Sequence, residues 1–325
     1  MMQTFLGTLN PMLMLFACIA IGFILKATGI LSDEAGKTIA KLETWVFCPA
    51  LSFITMAKYC TVESLSTHSV NVIFACFVVT LSLVIAIPLA KAFTKRSKDE
   101  RGVYEYALAV ANFGYMGDSV VLAVFGNKFL SFYKLFTLPG TIVIYIWGIG
   151  RLVPKSQNNG GTLKRLFNAP MVAMMLGMVV GLSGLGNHLP TFVESTFNSL
   201  SACMGPMAML LAGFTMARFN AIEMIKDKKV YIATIFRLII IPVVIVSTLF
   251  GVKELCALIL DKQFDNSVLY LTFFYVATPF GLNTIVFPEA YGGNPKTGAS
   301  MALISHSFCI ITIPLLYALM TFIFN

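Results

Sequence analysis

Ten runs of mostly apolar residues, about twenty residues long in the main, constrain what this chain can fold into more than any motif does. A helix rising about 1.5 Å per residue crosses roughly 30 Å of hydrocarbon in that length, and it satisfies its backbone hydrogen bonds internally, as a bilayer demands. The runs lie near residues 6–26, 37–57, 69–93, 102–126, 128–152, 169–187, 200–218, 229–252, 268–291 and 296–324. They predict an all-α membrane protein with ten transmembrane helices. Composition agrees, since 58% of residues are hydrophobic and 12% charged, against about 25% charged in soluble domains. Soluble enzymes and secreted disulfide scaffolds are thereby excluded. The net charge of +8 does not point to a nucleic-acid partner, because the basic residues sit in short joints between apolar runs, where they orient spans. Seven cysteines form no C-x-x-C pair, so neither a metal site nor a disulfide framework is expected. Residues 1–10 lack the basic segment and small-residue cleavage site of a signal peptide, so the first run is expected to stay as a span.

Lysine and arginine are distributed unevenly over the joints. Sixteen fall on one side, among them Lys26, Arg101, Arg151, Arg218 and Lys296, and five on the other, Lys58, Lys128, Lys134, Lys253 and Lys262. The positive-inside rule puts the sixteen in the cytoplasm, residues 91–101 and 218–229 included, and both termini outside. Arg237 lies about two turns inside the eighth span. It is expected to snorkel its stem back to the headgroups, with attraction of a substrate anion or an internal salt bridge as the alternatives.

Landmarks repeat along the chain. Pro11 and Gly22 are matched by Pro170 and Gly181, Pro49 by Pro206, Pro88 by Pro242, Phe125-Gly126 by Tyr291-Gly292, and Thr137-x-Pro139 by Thr312-x-Pro314, always in the same order. The chain thus divides into a first five-helix repeat (1–152), a cytoplasmic linker (153–168) and a second five-helix repeat (169–325). An odd number of spans per half turns the second upside down. Inverted repeats of this kind are a construction of secondary transporters, with the site near the midplane where the halves meet.

The fourth and ninth spans are the poorest helices. Ala111-Asn112-Phe113-Gly114-Tyr115-Met116-Gly117-Asp118-Ser119 interrupts one and Ala277-Thr278-Pro279-Phe280-Gly281-Leu282-Asn283-Thr284 the other. Glycine weakens a helix interior, and proline removes a donor while clashing with the preceding turn, so breaks are expected at Gly114, Gly117 and Pro279. Unwound backbone is tolerated at membrane depth only beside protein or a wet cavity, and the new helix starts can face an anion. These stretches nominate Asn112, Gly114, Tyr115, Gly117, Pro279, Gly281, Asn283 and Thr284 as substrate-contacting residues. Asp118 is expected either to bind a coupling proton or sodium ion in a cavity lined by Ser119, Asn283 and Thr284, or to cap the second half-helix. His306, between Ser305 and Ser307, is a second candidate for proton linkage, the alternative being a neutral hydrogen-bonded core histidine.

Val46-Phe47-Cys48-Pro49-Ala50-Leu51-Ser52-Phe53, Asn112-Phe113-Gly114-Tyr115-Met116-Gly117 with Phe125-Gly126, Gly205-Pro206 through Gly213, and Ala299-Ser300 leading to Ser305 and Thr312-Ile313-Pro314 together resemble the auxin efflux carrier family. That family includes plant auxin exporters and bacterial carriers of small carboxylates such as malonate and malate. The resemblance implies a fold like that of sodium/proton antiporters. In it spans 1, 2, 6 and 7 form a scaffold, often dimeric, spans 3–5 and 8–10 form a transport domain, and broken spans 4 and 9 cross at the substrate. Asn112 matches the family's substrate-side asparagine, which implies an amide that donates to a substrate carboxylate, and Pro279 matches its second crossover proline. Ala111 stands where plant members have the first crossover proline, Ser119 where many have a proline, and Asp118 where an apolar residue is usual. The short joint between spans 5 and 6 favours a carrier of a bacterial inner membrane.

Catalysis finds no support in the motifs: no second aspartate lies in a span to partner Asp118, and G-x-S-x-G and H-E-x-x-H are absent. No G-x-x-x-x-G-K-[ST] motif occurs either, so the expected activity is secondary transport of a small organic carboxylate by an elevator-type motion. Membrane lipid, the acid itself and a second copy of the chain are the expected partners. A ligand sensor built on a transporter fold is the alternative.

Overall fold

The computed structural model describes residues 2–94, 98–153, 167–261 and 265–324. Helices account for nearly all of it. They are α1 (Met2–Ala27), α2 (Glu34–Tyr59), α3 (Val62–Phe93), α4 (Lys98–Ala109), α5 (Phe113–Leu152), α6 (Ala169–Leu182), α7 (Thr191–Ala217), α8 (Lys228–Leu260), α9 (Ser267–Val276), α10 (Asn283–Tyr291) and α11 (Lys296–Phe324). Seven of these runs are long and apolar enough to cross a membrane, while α6 and α9 are apolar but shorter. Ile73, Val179, Leu258 and Phe322 stand exposed on the outside of the bundle. Hydrocarbon is the solvent that makes such a surface stable, since lipid tails are as apolar as the side chains they touch.

Helix α5 is counted as 40 residues, which at 1.5 Å per residue would be about 60 Å, twice the hydrocarbon thickness. Gly126 prevents this. Its φ of 80° is open to glycine alone at no steric penalty, so the chain turns there and the two arms of α5 run separately. The expected boundary between the fourth and fifth spans falls at this corner. Elsewhere the bounds shift. Helix α7 begins at Thr191 rather than near residue 200, because its first turns are held by Phe197 against Phe53 and by a 2.6 Å pair between Glu194 and Lys58. Prolines leave their own mark: Pro49 and Pro242 follow π-helical turns at Glu43–Phe47 and Phe236–Ile240. A proline ring clashes with the carbonyl four residues back, and one wider turn relieves that clash.

Charges collect at the two ends of the bundle. At one end Lys26 meets Asp33 at 2.7 Å, Arg218 pairs with Glu289, and Lys296 reaches Glu223 at 3.3 Å. Arg101 and Arg151 share Glu105 at 3.1 and 3.2 Å. At the other, Lys58 holds Glu194, while the Lys253 ammonium donates to Asn266 Oδ1 at 2.6 Å and the Asn266 amide donates to Phe324 O at 3.1 Å. Residues expected to share a side are thus brought together. Most of the proposed linker, with Lys95, Arg96, Lys155, Lys164, Arg165, Lys262 and Asn325, lies outside the described residues.

Candidate functional site

Helix α4 ends at Ala109 and α9 at Val276, and after each the chain leaves helical geometry for a few residues. The two stretches cross antiparallel. Asn112 N–H donates to Pro279 O at 2.9 Å, Gly281 N–H donates to Val110 O at 3.3 Å, and Ala111 bridges Phe280 between them. Each break therefore satisfies backbone groups of the other, which bare hydrocarbon could not do. Pro279 has no N–H to offer and contributes only its carbonyl.

Both stretches then restart helices, at Phe113 and at Asn283. Phe113, Gly114, Tyr115, Leu282 and Asn283, the residues at these two starts, line one cavity of about 70 Å³. A helix start presents unpaired N–H groups and about half a positive charge, so the cavity favours an anion. Gly114 opens onto the space, for a Cβ built there meets no atom within 4 Å. Gly117 does not: the hydroxyl of Tyr133 occupies that position, and it donates to Phe274 O at 3.0 Å. Tyr133 thereby ties the second arm of α5 to both broken segments. Gly281 lines the cavity too, and a Cβ built on it would stand 3.1 Å from Val110 O and 3.2 Å from Ala111 O, tighter than side chains ordinarily pack.

Asn112 is buried at the crossing, and its Nδ2 lies 3.1 Å from His306 Nε2. His306 Nδ1 lies 2.9 Å from Ala302 O, a carbonyl that can only accept, so Nδ1 carries the proton and Nε2 accepts from the amide. His306 is thus held as a neutral, hydrogen-bonded imidazole. Asn112 Oδ1 is without a hydrogen-bond partner among the described residues. The amide commits one of its two hydrogens to His306 and keeps the other for a ligand. Ser119 Oγ donates to Tyr115 O at 2.9 Å and sits against Gly205 of α7, while Thr284 Oγ1 donates to Gly281 O at 2.8 Å and backs onto Gly298 of α11. Both turn from the cavity. Of the trio expected to line it, Asn283 alone does so, with its Nδ2 donating to Tyr106 OH at 2.8 Å.

Asp118 does not cap a half-helix. It lies one turn inside the helix that begins at Phe113, and its Oδ2 accepts from the ammonium of Lys134. Lys134 was assigned to an outer joint; its side chain is instead 9% exposed and lines the cavity. The expected span 128–152 already contained it, which was the available signal. Arg237 is the second correction. It is 1% exposed and snorkels nowhere: Nη1 donates to Leu108 O at 2.8 Å and Nη2 to Val276 O. One guanidinium thus caps the C-terminal ends of α4 and α9 together, where both helix dipoles are negative. Glu43, not singled out in the sequence, is fully buried in the π-helical turn of α2, and neither carboxyl oxygen has a hydrogen-bond partner among the described residues.

Residues 8–317 match the protein family described as membrane transport protein. An uncharacterized transporter of Methanocaldococcus jannaschii is similar at 23% identity over 94% of this chain and 97% of its own length. A second uncharacterized transporter, of Methanothermobacter thermautotrophicus, is 27% identical over 65% of this chain and 69% of its own. Together with the long apolar helices, these likenesses make the chain an integral membrane protein.

Proposed function

Because the chain belongs to the membrane transport protein family, that of the auxin efflux carriers, we propose that it is a secondary carrier of a small organic carboxylate. The observation that carries this reading is the convergence of two helix starts and Lys134 on one cavity. Two positive helix starts and an ammonium that could exchange its carboxylate partner, around a space too small for a macromolecule, suit a compact anion. Transport rather than hydrolysis follows from family membership.

The architecture proposed is ten spans in two inverted repeats. Gly126 and Gly292, paired as landmarks in the sequence, both adopt positive φ, 80° and 86°. Helix α1 packs on α7 and α2 on α6, and exchanging the halves (first span for sixth, second for seventh) maps one contact onto the other. These four helices are the scaffold of an elevator, past which the crossing helices carry the cavity from one face to the other. An ion gradient drives it.

Proteoliposomes loaded with labelled acetate, lactate, malonate, malate, succinate or benzoate test the activity, with saturable counterflow of at least one expected. Saturable binding with no counterflow of any bound acid would mark a sensor instead. For orientation, single cysteines placed at residues 98 and 226 in a background lacking the native seven are expected to react with an impermeant maleimide only after permeabilisation, and one at Asn325 before it. The reverse order would invert the topology.

A further inference from the structure

We propose that Lys134 is the cation that holds the substrate carboxylate, and that it is free to do so only while Asp118 carries a proton, so that one proton travels with each carboxylate. The inference rests on the carrier reading and adds its chemistry. Lys134 lines the cavity while Asp118 stands behind it, and the two side chains are 9% and 2% exposed. The pair is neutral as it stands. Adding a monoanion to the cavity beside a neutral pair leaves one uncompensated negative charge, and the desolvation of an unpaired buried ion amounts to several kcal/mol. Protonating Asp118 removes that charge: the carboxylate takes H⁺ and becomes a neutral acid, the ammonium keeps its three protons, and its partner changes from Asp118 to the substrate. Charge is conserved within the site before and after.

Geometry supplies the place for the proton. Asp118 Oδ1 is buried without a hydrogen-bond partner among the described residues, so it can be protonated without breaking an existing contact. Of the other titratable groups, Cys48 of α2 and Tyr133 act on the pair directly, Glu43 of α2 stands beyond Cys48 and Tyr275 of α9 beyond Tyr133, and Tyr115 and Tyr145 share the cavity with Lys134. Tyr133 is engaged with backbone carbonyls, which leaves Glu43 as the rival carrier. Asp118 is preferred because it alone of the two carboxyls touches the cation in the cavity wall.

Calorimetric titration of purified protein with the six acids named above, in two buffers of different ionisation heat, counts protons taken up per acid bound. Wild type is expected to take up one for each monoanion (acetate, lactate or benzoate), and its affinity for these to fall about tenfold per pH unit on the alkaline side. Asp118→Asn, which mimics the protonated state, is expected to take up none and to bind at pH 8 as tightly as wild type at its acid limit, a gain that loss of a merely structural residue would not produce. Glu43→Gln should keep the wild-type count. Should Asp118→Asn not fold, Asp118→Glu is read instead, and the pH of half-maximal binding should rise by about 0.4 unit, the difference between the two ordinary carboxyls. Zero uptake by wild type, uptake persisting in Asp118→Asn, loss of uptake in Glu43→Gln, or coincident curves for wild type and Asp118→Glu each overturn the proton switch. Failure of all six acids to bind wild type would overturn the carboxylate function beneath it.

Discussion

Arg237→Met is expected to lower stability by about 2–6 kcal/mol and to abolish transport. Two buried carbonyls, Leu108 O and Val276 O, lose their donors together, and each unsatisfied group is worth about 1–3 kcal/mol. Against this stands the relief of no longer burying a guanidinium, which sets the lower end. Two negative helix ends would then face each other across the crossing with no cation between them. Arg237→Lys restores the charge but not the fork, since a single ammonium on a shorter reach cannot repeat two donors in fixed geometry, so it should recover part of the stability. Thermal unfolding in detergent, followed by Trp45 and Trp147 fluorescence, gives the measurement. A methionine variant with the wild-type midpoint would remove Arg237 as the clamp of the crossing.

That residue also shows how far the sequence could be read. The apolar runs, the two breaks, and the nearness of Asn112, Gly114 and Asn283 to one cavity follow from hydropathy and from glycine and proline chemistry, all local properties of the chain. Direction around a helix axis is a different matter. Placing Arg237 on a lipid-facing or headgroup-reaching side assumes 3.6 residues per turn, and the π-helical turn at Phe236–Ile240 breaks that phase where it matters. The same happens at Glu43 ahead of Pro49. Ser119 and Thr284, expected to line the cavity, turn from it for a related reason: each follows a break, the helix restarts with a new axis, and which face then meets Gly205 or Gly298 depends on the neighbouring helix. Such information lies in tertiary packing, not in periodicity.

The electrostatics of the crossing follow from the same packing. Its two sides are built differently, with two helix starts and the Lys134–Asp118 pair on the cavity side and two helix ends capped by Arg237 on the other. Arg237 is spent on carbonyls and cannot release its partners without undoing the crossing. Lys134 is held by a titratable carboxylate. Only the second arrangement holds an anion that a substrate carboxylate could replace, which is the exchange proposed above.

Lys134→Met should therefore be more damaging than loss of both partners. Removing the ammonium alone leaves Asp118 buried and unpaired, a change worth about 3–5 kcal/mol, a large share of the roughly 5–15 kcal/mol that keeps a domain folded. Asp118→Leu combined with Lys134→Met replaces the pair by apolar groups of nearly the same skeleton, which in other buried pairs is neutral or stabilising. The double variant is thus expected to regain most of the lost stability and yet to bind no acid, because nothing in the cavity wall then carries a full positive charge. Denaturant unfolding of wild type, both singles and the double gives the coupling energy directly, and binding of the same six acids is measured on whichever variants fold. Equal stability of Lys134→Met and wild type would argue against the buried pair. A double variant that binds a carboxylate at wild-type affinity would dismiss Lys134 as its holder and leave the two helix starts to bind the anion by themselves.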